Sequence, residues 1–261
     1  MSDDTQLGEV VEFFLCRNGF EKLAANTLRR SLDEVIDGMR TGRWSVDALE
    51  KTEKTYIGTK VEILFRFDFE LEHGRMLDTR IQGHEVDIKC TVLTDWMIPQ
   101  EAIGQLCLLV KIDDKRSCFS IGVVRANREL LRIAPNRDKK LSISAEGKKA
   151  IRWLVQDGRL PTNFLAELSE EVRQKIFSQP SGQLRVNELF RSVQGRIIPR
   201  VAIETVARQK DPMKRMRDAR KVLKAEGILV LGHQGNDPKL AKSRGYPVPK
   251  KGEAISLPCE K

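Results

Sequence analysis

The sequence predicts an α/β protein in which a mixed β-sheet is flanked by helices, followed by a smaller, mainly α second domain. Two observations lead to this prediction. Amphipathic helical patterns at the start give way to short β-branched apolar runs, a mixture typical of α/β domains. After the stretch RLPTN, short helical patterns return with an excess of positive charge. We therefore place the first domain at residues 1–163 and the second at residues 164–261.

The first domain is predicted to begin with helices. Residues 5–50 have apolar side chains at i, i+3 and i+4 spacing in LGEVVEFFLCRNGF and in ANTLRRSLDEVIDGMRTG. A further helix is expected to run through Val61 and Glu62. After it, phenylalanines alternate with charged residues, which is the period of a half-buried strand. The predicted strand therefore contains Phe65, Phe67 and Phe69.

A β-hairpin is predicted at MLDTRIQGHEVDIKC, with its turn at the dipeptide QG. The runs GQLCLLVKID and CFSIGVVRA are short, apolar and bounded by turn residues, so they are predicted to be strands. The segment SAEGKKAIRWLVQDG is predicted to close the domain as a helix, with Ser144 as its N-cap.

The predicted hairpin brings together residues with metal-dependent chemistry. Asp78 precedes the turn, and Asp87 and Lys89 follow it on one face of a strand whose opposite face is apolar. Carboxylates are the oxygen ligands that Mg²⁺ prefers, and bound Mg²⁺ assists phosphodiester hydrolysis. Lys89 could orient or deprotonate the attacking water and offset the phosphate charge. Glu62, on the preceding helix, could complete the metal shell.

The second domain shows three helical patterns and a strand. The helices are predicted at QLRVNELFRSV, IPRVAIETVARQ and DPMKRMRDARKVLKAEG, and the strand at ILVLGHQ. The third helix has clear ends, with Asp211 as N-cap, Pro212 at the first helical position and Gly227 after the end. The following GNDPKLAKSRGYPVPKKG is predicted to be a basic loop. This order suggests a winged helix-turn-helix with its recognition helix at 212–225; the alternative is an ordinary three-helix packing unit.

Positive charge is concentrated in the second domain. The chain has a net charge of +9, and the segment from Gln183 to Glu226 contains twelve Lys or Arg against five Asp or Glu. A localised basic excess indicates a polyanionic partner, most often nucleic acid; the alternative is a solvated basic helix surface. The predicted DNA-binding residues are Lys214, Arg215, Arg217, Arg220, Lys221, Lys239 and Lys242.

Several classes of protein are disfavoured. No run of residues approaches the roughly 18 apolar residues of a membrane helix, and the acidic start lacks the features of a secretory signal. Five cysteines without a CxxC pair argue against a disulfide framework or a structural zinc site. We expect a cytoplasmic protein without membrane partners.

The spacing D-x8-D-x-K, with an acid on a preceding helix, resembles the core of the PD-(D/E)XK nuclease superfamily, and so predicts a restriction-endonuclease-like sheet. Longer motifs resemble one family within it, the NaeI-type restriction endonucleases. These motifs are RTGRW, KTEKTYIGTKVEI, VDIKC, RVNELF, GHQGNDPK and PVPKKG, in this order between about residues 26 and 253. The pattern of that family continues beyond the last motif, whereas this sequence ends at Lys261.

The resemblance implies a type II restriction endonuclease with an N-terminal nuclease domain and a C-terminal winged-helix domain. It implies Mg²⁺-dependent cleavage of double-stranded DNA at a palindromic GC-rich site, activated by a second DNA copy. It also implies a homodimer and a cognate DNA methyltransferase in the host. By position, the catalytic set of the family falls on Glu62, Asp78, Asp87 and Lys89. Two alternatives stay open, a nicking or repair nuclease of the same superfamily and a non-catalytic winged-helix DNA-binding regulator.

Overall fold

A computed structural model describes residues 4–133, 138–209 and 211–259. The chain forms two compact units. The first consists of Met1–Val35 and Leu49–Thr162, and the second of Ile36–Ala48 and Asn163–Lys261. The segment Ile36–Ala48 lies within the predicted first domain but in the second unit of the structure, where Trp44 packs against the apolar core.

The described residues form the following elements. The helices are α1 (Thr5–Leu15), α2 (Phe20–Ile36), α3 (Gly38–Thr41), α4 (Lys51–Asp68), α5 (Ala145–Lys149), α6 (Glu170–Phe177), α7 (Gly182–Ser192), α8 (Arg200–Ala207), α9 (Pro212–Ala225) and α10 (Asp237–Ser243). The strands are β1 (Glu72–His73), β2 (Thr79–Ile81), β3 (His84–Thr91), β4 (Met97–Ile98), β5 (Leu106–Asp113), β6 (Cys118–Arg125), β7 (Leu141–Ser142), β8 (Arg152–Arg159), β9 (Ile198–Pro199), β10 (Ile228–Leu231) and β11 (Glu253–Pro258).

The first unit is built on a six-stranded sheet in the order β1-β2-β3-β5-β6-β8. Strands β3 and β5 run parallel and the other neighbours antiparallel, so the sheet is mixed. Helices α1 and α4 pack against it. The predicted mixed sheet flanked by helices is confirmed.

The predicted hairpin is formed by β2 and β3. Ile81 pairs with His84, which leaves Gln82 and Gly83 as a two-residue turn. Both turn residues have positive φ, 52° and 82°, the requirement of a type I′ turn, whose twist matches that of the flanking strands. The pairing places Thr79 opposite Val86 and fixes the register of the residues around it.

The strand predicted at Phe65–Phe69 is wrong, because α4 continues to Asp68. In a series of three phenylalanines at every second position, the first and the last are four residues apart, which is the spacing of neighbours on one face of a helix. Phe65 and Phe69 stack in this way, with their ring centroids 4.3 Å apart. Phe14 and Phe20 pack around this pair from α1 and α2. Phe67 points away and is 76% exposed.

The helix predicted to close the first domain is short. Ser144 caps it as expected, accepting a hydrogen bond from the backbone N–H of Gly147, but it ends at Lys149. The remainder forms the edge strand β8, which pairs with β6. Gly122 on β6 leaves room for the side chains of Ile151 and Trp153. This packing favours a strand for a segment whose sequence is compatible with either a helix or a strand.

The second unit contains the three predicted helices as α7, α8 and α9, packed on one apolar core. On α9, Asp211 accepts a hydrogen bond from the N–H of Lys214, and Gly227 follows the end with φ 75°. Met216, Ala219 and Leu223 of α9 are buried in this core.

A three-stranded antiparallel sheet in the order β10-β11-β9 completes the second unit. The segment predicted as a basic loop contains helix α10 and ends at β11. Helix α10 forms because Ala241 and Leu240 pack with Leu231, Ile255 and Leu257 in a small apolar cluster. Over the described ranges, no helix is long and apolar enough to cross a membrane.

Candidate active site and basic surface

The candidate active site lies where the β2–β3 hairpin meets the centre of the sheet. Asp78 directly precedes β2, and Asp87 and Lys89 lie on β3 between β2 and β5. Val86 and Ile88 are buried, as the alternation predicted, and Asp87 is buried as well, with 3% of its surface exposed. The middle of a sheet is an unusual place for a carboxylate, and a buried charge needs a specific partner.

The hairpin brings Asp78, Asp87 and Lys89 together. The ammonium nitrogen of Lys89 lies 2.8 Å from Asp87 Oδ1 and 3.5 Å from Asp78 Oδ2. The backbone N–H of Ile88 also donates to Asp78 Oδ2, at 2.7 Å. Both carboxylates are therefore oriented by the same short segment of β3.

Burial and the attraction between opposite charges together shift the pKa values of Asp87 and Lys89. Burial raises the pKa of Asp87 to about 6, although the nearby Lys89 ammonium acts in the opposite direction. Burial also disfavours the charged form of Lys89, but the attraction of Asp87 and Asp78 outweighs it, so the pKa of Lys89 is raised. The two carboxylates thus favour the charged form of Lys89, which suits a role in stabilising phosphate charge.

A divalent cation fits the carboxylate pair. Asp87 Oδ2 is buried and has no hydrogen-bond partner among the described residues. An orphaned carboxylate oxygen is costly to bury unless a ligand satisfies it. The same described residues contain no group of three or more His, Cys, Asp or Glu side chains arranged to hold a metal. The structure thus presents two carboxylates together and not three.

The predicted third ligand, Glu62, is bound to Arg66 one turn further along α4, with Glu62 Oε1 2.6 Å from Arg66 Nη1. The same guanidinium nitrogen donates to the backbone carbonyl of Asp78 at 3.0 Å. Arg66 therefore links Glu62 to the start of β2. The role of Glu62 as a metal ligand stays a prediction.

Sequence reasoning missed Arg66 and the structural role of Glu85. A helix extended to residue 68 would have placed Arg66 at i+4 from Glu62, a spacing that favours an ion pair. Because residues 65–69 were predicted to form a strand, the ion pair between Glu62 and Arg66 was not expected. Glu85 binds backbone N–H groups of a loop, a contact that no residue pattern in the sequence indicates.

The basic residues of the second unit differ in whether a neighbouring side chain holds them in place. Lys214, Arg217 and Lys221 are exposed on α9, and the closest carboxylate to Arg217 in an ion pair is Asp211, at 3.8 Å. Arg215 is held by Gln209. Arg220 is held by Asp237, with Nη2 2.7 Å from Oδ2.

Lys239 and Lys242 were predicted on a loop, but they lie exposed on helix α10. A cavity of about 650 Å³ opens beside the first half of α9. Its lining includes Met213 and Met216, the basic residues Arg200, Arg217, Arg220 and Lys251, and the carboxylates of Asp237 and Glu253. The cavity thus combines an apolar part with four cationic side chains and two carboxylates.

Comparison with known proteins identifies the family of the chain. The family model described as restriction endonuclease NaeI matches residues 10–260. The chain therefore belongs to the NaeI restriction endonuclease family.

A particular relative is the type II restriction enzyme NaeI of Lentzea aerocolonigenes. The chain is 44% identical to it over 243 residues, which cover 89% of this chain and 76% of the relative.

Proposed function

We propose that the chain is a type II restriction endonuclease that hydrolyses phosphodiester bonds in duplex DNA at a palindromic, GC-rich site with Mg²⁺. The observation that supports it most strongly is the convergence of Asp78, Asp87 and Lys89 on one hairpin in a member of this family. The name of the 44% identical relative describes the same class of enzyme.

The chemistry follows from the contacts of the three residues. Asp78 and Asp87 would hold Mg²⁺, which when bound stabilises the charge of the phosphate and lowers the pKa of the attacking water. Lys89, protonated beside both carboxylates, offsets the negative charge that develops on the phosphate oxygens. The Ile88 N–H keeps Asp78 directed toward Asp87. In the proposal Glu62 is the third carboxylate, oriented by Arg66.

The second unit is proposed to be a winged helix-turn-helix domain that binds DNA. Its element order, with α7, β9, α8 and α9 followed by β10 and β11, supports this assignment. In it α9 is the recognition helix, and basic residues that line the cavity beside α9 contact phosphate. We propose this domain as the site for the second, activating DNA copy.

The proposal extends to assembly and cellular context. A palindromic site has two-fold symmetry, so a homodimer with one active site per strand is the matching arrangement. Cleavage of specific sites also requires protection of the host DNA by a cognate methyltransferase. We place the enzyme in the cytoplasm, where host and invading DNA are both accessible.

Incubation of the full chain with a supercoiled plasmid and Mg²⁺ tests the proposed activity. We expect discrete linear fragments with Mg²⁺ and none when the ion is removed by EDTA. Nicked circles that never become linear would instead support a nicking or repair nuclease. Unchanged plasmid that is nevertheless retained on a gel would support a non-catalytic DNA-binding regulator.

Arg217 is predicted to read bases, because it is exposed near the start of α9 whereas Arg215 and Arg220 are held by neighbours. An arginine forked onto guanine contributes about 1–3 kcal/mol of discrimination. Arg217→Gln in the full chain should therefore reduce the preference for cognate over scrambled duplex by roughly tenfold. Competition binding without divalent metal measures it.

The control for Arg217 is Lys239→Gln on α10, which should weaken both duplexes alike and reduce the salt dependence of binding. Equal losses on cognate and scrambled duplexes for Arg217→Gln would contradict base reading by this residue. Base recognition would then be sought in the first unit.

A further inference from the structure

Glu85 is bound by the backbone of the loop that leads to Asp78. The loop joins β1 to β2, and three consecutive N–H groups in it donate to the Glu85 carboxylate. The donors are Arg75 at 3.0 Å to Oε1, Met76 at 3.1 Å to Oε2 and Leu77 at 3.0 Å to Oε2. Charge-assisted hydrogen bonds of this kind are stronger than neutral ones. Glu85 therefore acts as a clamp on residues 75–77.

The loop is shaped to close around this carboxylate. A Cβ atom at Gly74 would lie 2.8 Å from Glu85 Oε2 and would also collide with the backbone carbonyl oxygen of Leu77. Glycine at this position therefore allows the chain to pass close to Glu85. The backbone N–H groups also favour the ionised carboxylate and lower the pKa of Glu85.

The clamp acts on the residue next to it. Asp78 follows Leu77 directly, and its carboxylate accepts hydrogen bonds from the Ile88 N–H and the Lys89 ammonium. Glu85 lies on the same strand as Ile88 and Lys89, opposite Arg80 in the register of the hairpin. One strand thus holds both the loop that precedes Asp78 and the side chain of Asp78.

We propose that Glu85 is a positioning residue for the active site, which fixes the backbone of residues 75–77 so that the Asp78 carboxylate is held beside Asp87 in the geometry needed for a divalent cation. The inference rests on the proposed function, because it takes Asp78 as a ligand of Mg²⁺. In this proposal Glu85 acts through Asp78 and is not itself a ligand of the ion. Groups that orient metal ligands in this way typically change metal affinity or activity 10–100-fold when they are removed.

The test uses the full chain with Glu85→Gln, and with Glu101→Gln as a matched control on an exposed glutamate of the same unit. The first measurement is amide hydrogen exchange. We expect faster exchange at residues 75–77 in Glu85→Gln and wild-type exchange in β5, since the core of the sheet is untouched. The control should match the wild type at both places.

The second measurement is plasmid cleavage as a function of Mg²⁺ concentration. In Glu85→Gln the half-maximal Mg²⁺ concentration should rise at least about tenfold, the KM for DNA should stay unchanged, and high Mg²⁺ should restore much of the rate. Unchanged exchange at residues 75–77, or faster exchange with a wild-type Mg²⁺ dependence, would overturn the inference.

Cleavage by Asp87→Asn distinguishes a failure of the proposed function from a failure of the inference about Glu85. Wild-type cleavage by Asp87→Asn would overturn the proposed site itself. Loss of cleavage by Asp87→Asn together with a wild-type Mg²⁺ dependence of Glu85→Gln would overturn the role of Glu85 alone. If Glu85→Gln shows no cooperative thermal unfolding, Gly74→Ala, which opens the same loop from the backbone side, is measured against the same criteria.

Discussion

Replacement of Asp87 by asparagine is expected to abolish plasmid cleavage while leaving duplex binding near the wild-type level. The substitution keeps the size of a buried side chain but removes the charge of a carboxylate whose Oδ2 has no hydrogen-bond partner among the described residues. Removal of one preorganised electrostatic group from an active site costs roughly 10²–10³-fold in rate, and a proposed metal ligand should cost at least as much. Single-turnover cleavage at saturating enzyme measures the rate.

Lys89→Ala should also abolish cleavage while leaving duplex binding near the wild-type level. The reason is that the Lys89 ammonium lies 2.8 Å from Asp87 Oδ1, within the proposed active site, and supplies little of the contact with the duplex. Asp157→Asn is the control, an exposed aspartate with φ 48°, a conformation that asparagine tolerates. Linearisation of plasmid at the wild-type rate by Asp87→Asn would exclude the hairpin as the active site.

The largest effect on stability is expected at Phe65. Phe65→Ala removes a fully buried ring that stacks on Phe69 and contacts Phe14, so it should lower the free energy of unfolding by about 3–5 kcal/mol. Phe67→Ala removes an equal ring that is 76% exposed, and should change it by less than about 0.5 kcal/mol. The measurement is denaturant unfolding followed by fluorescence, with Trp96 and Trp153 in the first unit.

This pair of variants distinguishes a helical conformation of residues 65–69 from a strand. On a strand, residues 65, 67 and 69 would share one face and the substitutions would have similar costs. On α4, Phe65 and Phe69 share a face that Phe67 does not. Similar losses for Phe65→Ala and Phe67→Ala would therefore contradict the helical course of this segment.

The sequence by itself determined the features that depend on neighbouring residues. The QG turn, the strand after it and the caps at Ser144 and Asp211 were all predicted and are confirmed. Each follows from a side chain or a backbone angle within a few positions along the chain. The convergence of Asp78, Asp87 and Lys89 also follows from this local order, because a tight hairpin fixes its own register.

Tertiary structure decided the features in which local preferences conflict. Phe65 and Phe69 suit a helix or a strand equally in sequence, and the aromatic side chains from α1 and α2 select the helix. In the same way, pairing with β6 turns the second half of a predicted helix into β8, and a small apolar cluster forms α10 within a predicted loop. Distant partners supply the deciding free energy in each case.

The contacts that hold the candidate site in place could not be predicted from the sequence either, because they too depend on residues distant along the chain. Arg66 reaches a carbonyl twelve residues away, and Glu85 collects N–H groups eight to ten residues before it. Backbone groups have no sequence signature, since every residue except proline offers the same N–H donor. The sequence therefore determined which side chains meet at the hairpin, whereas the folded backbone decided what holds them in place.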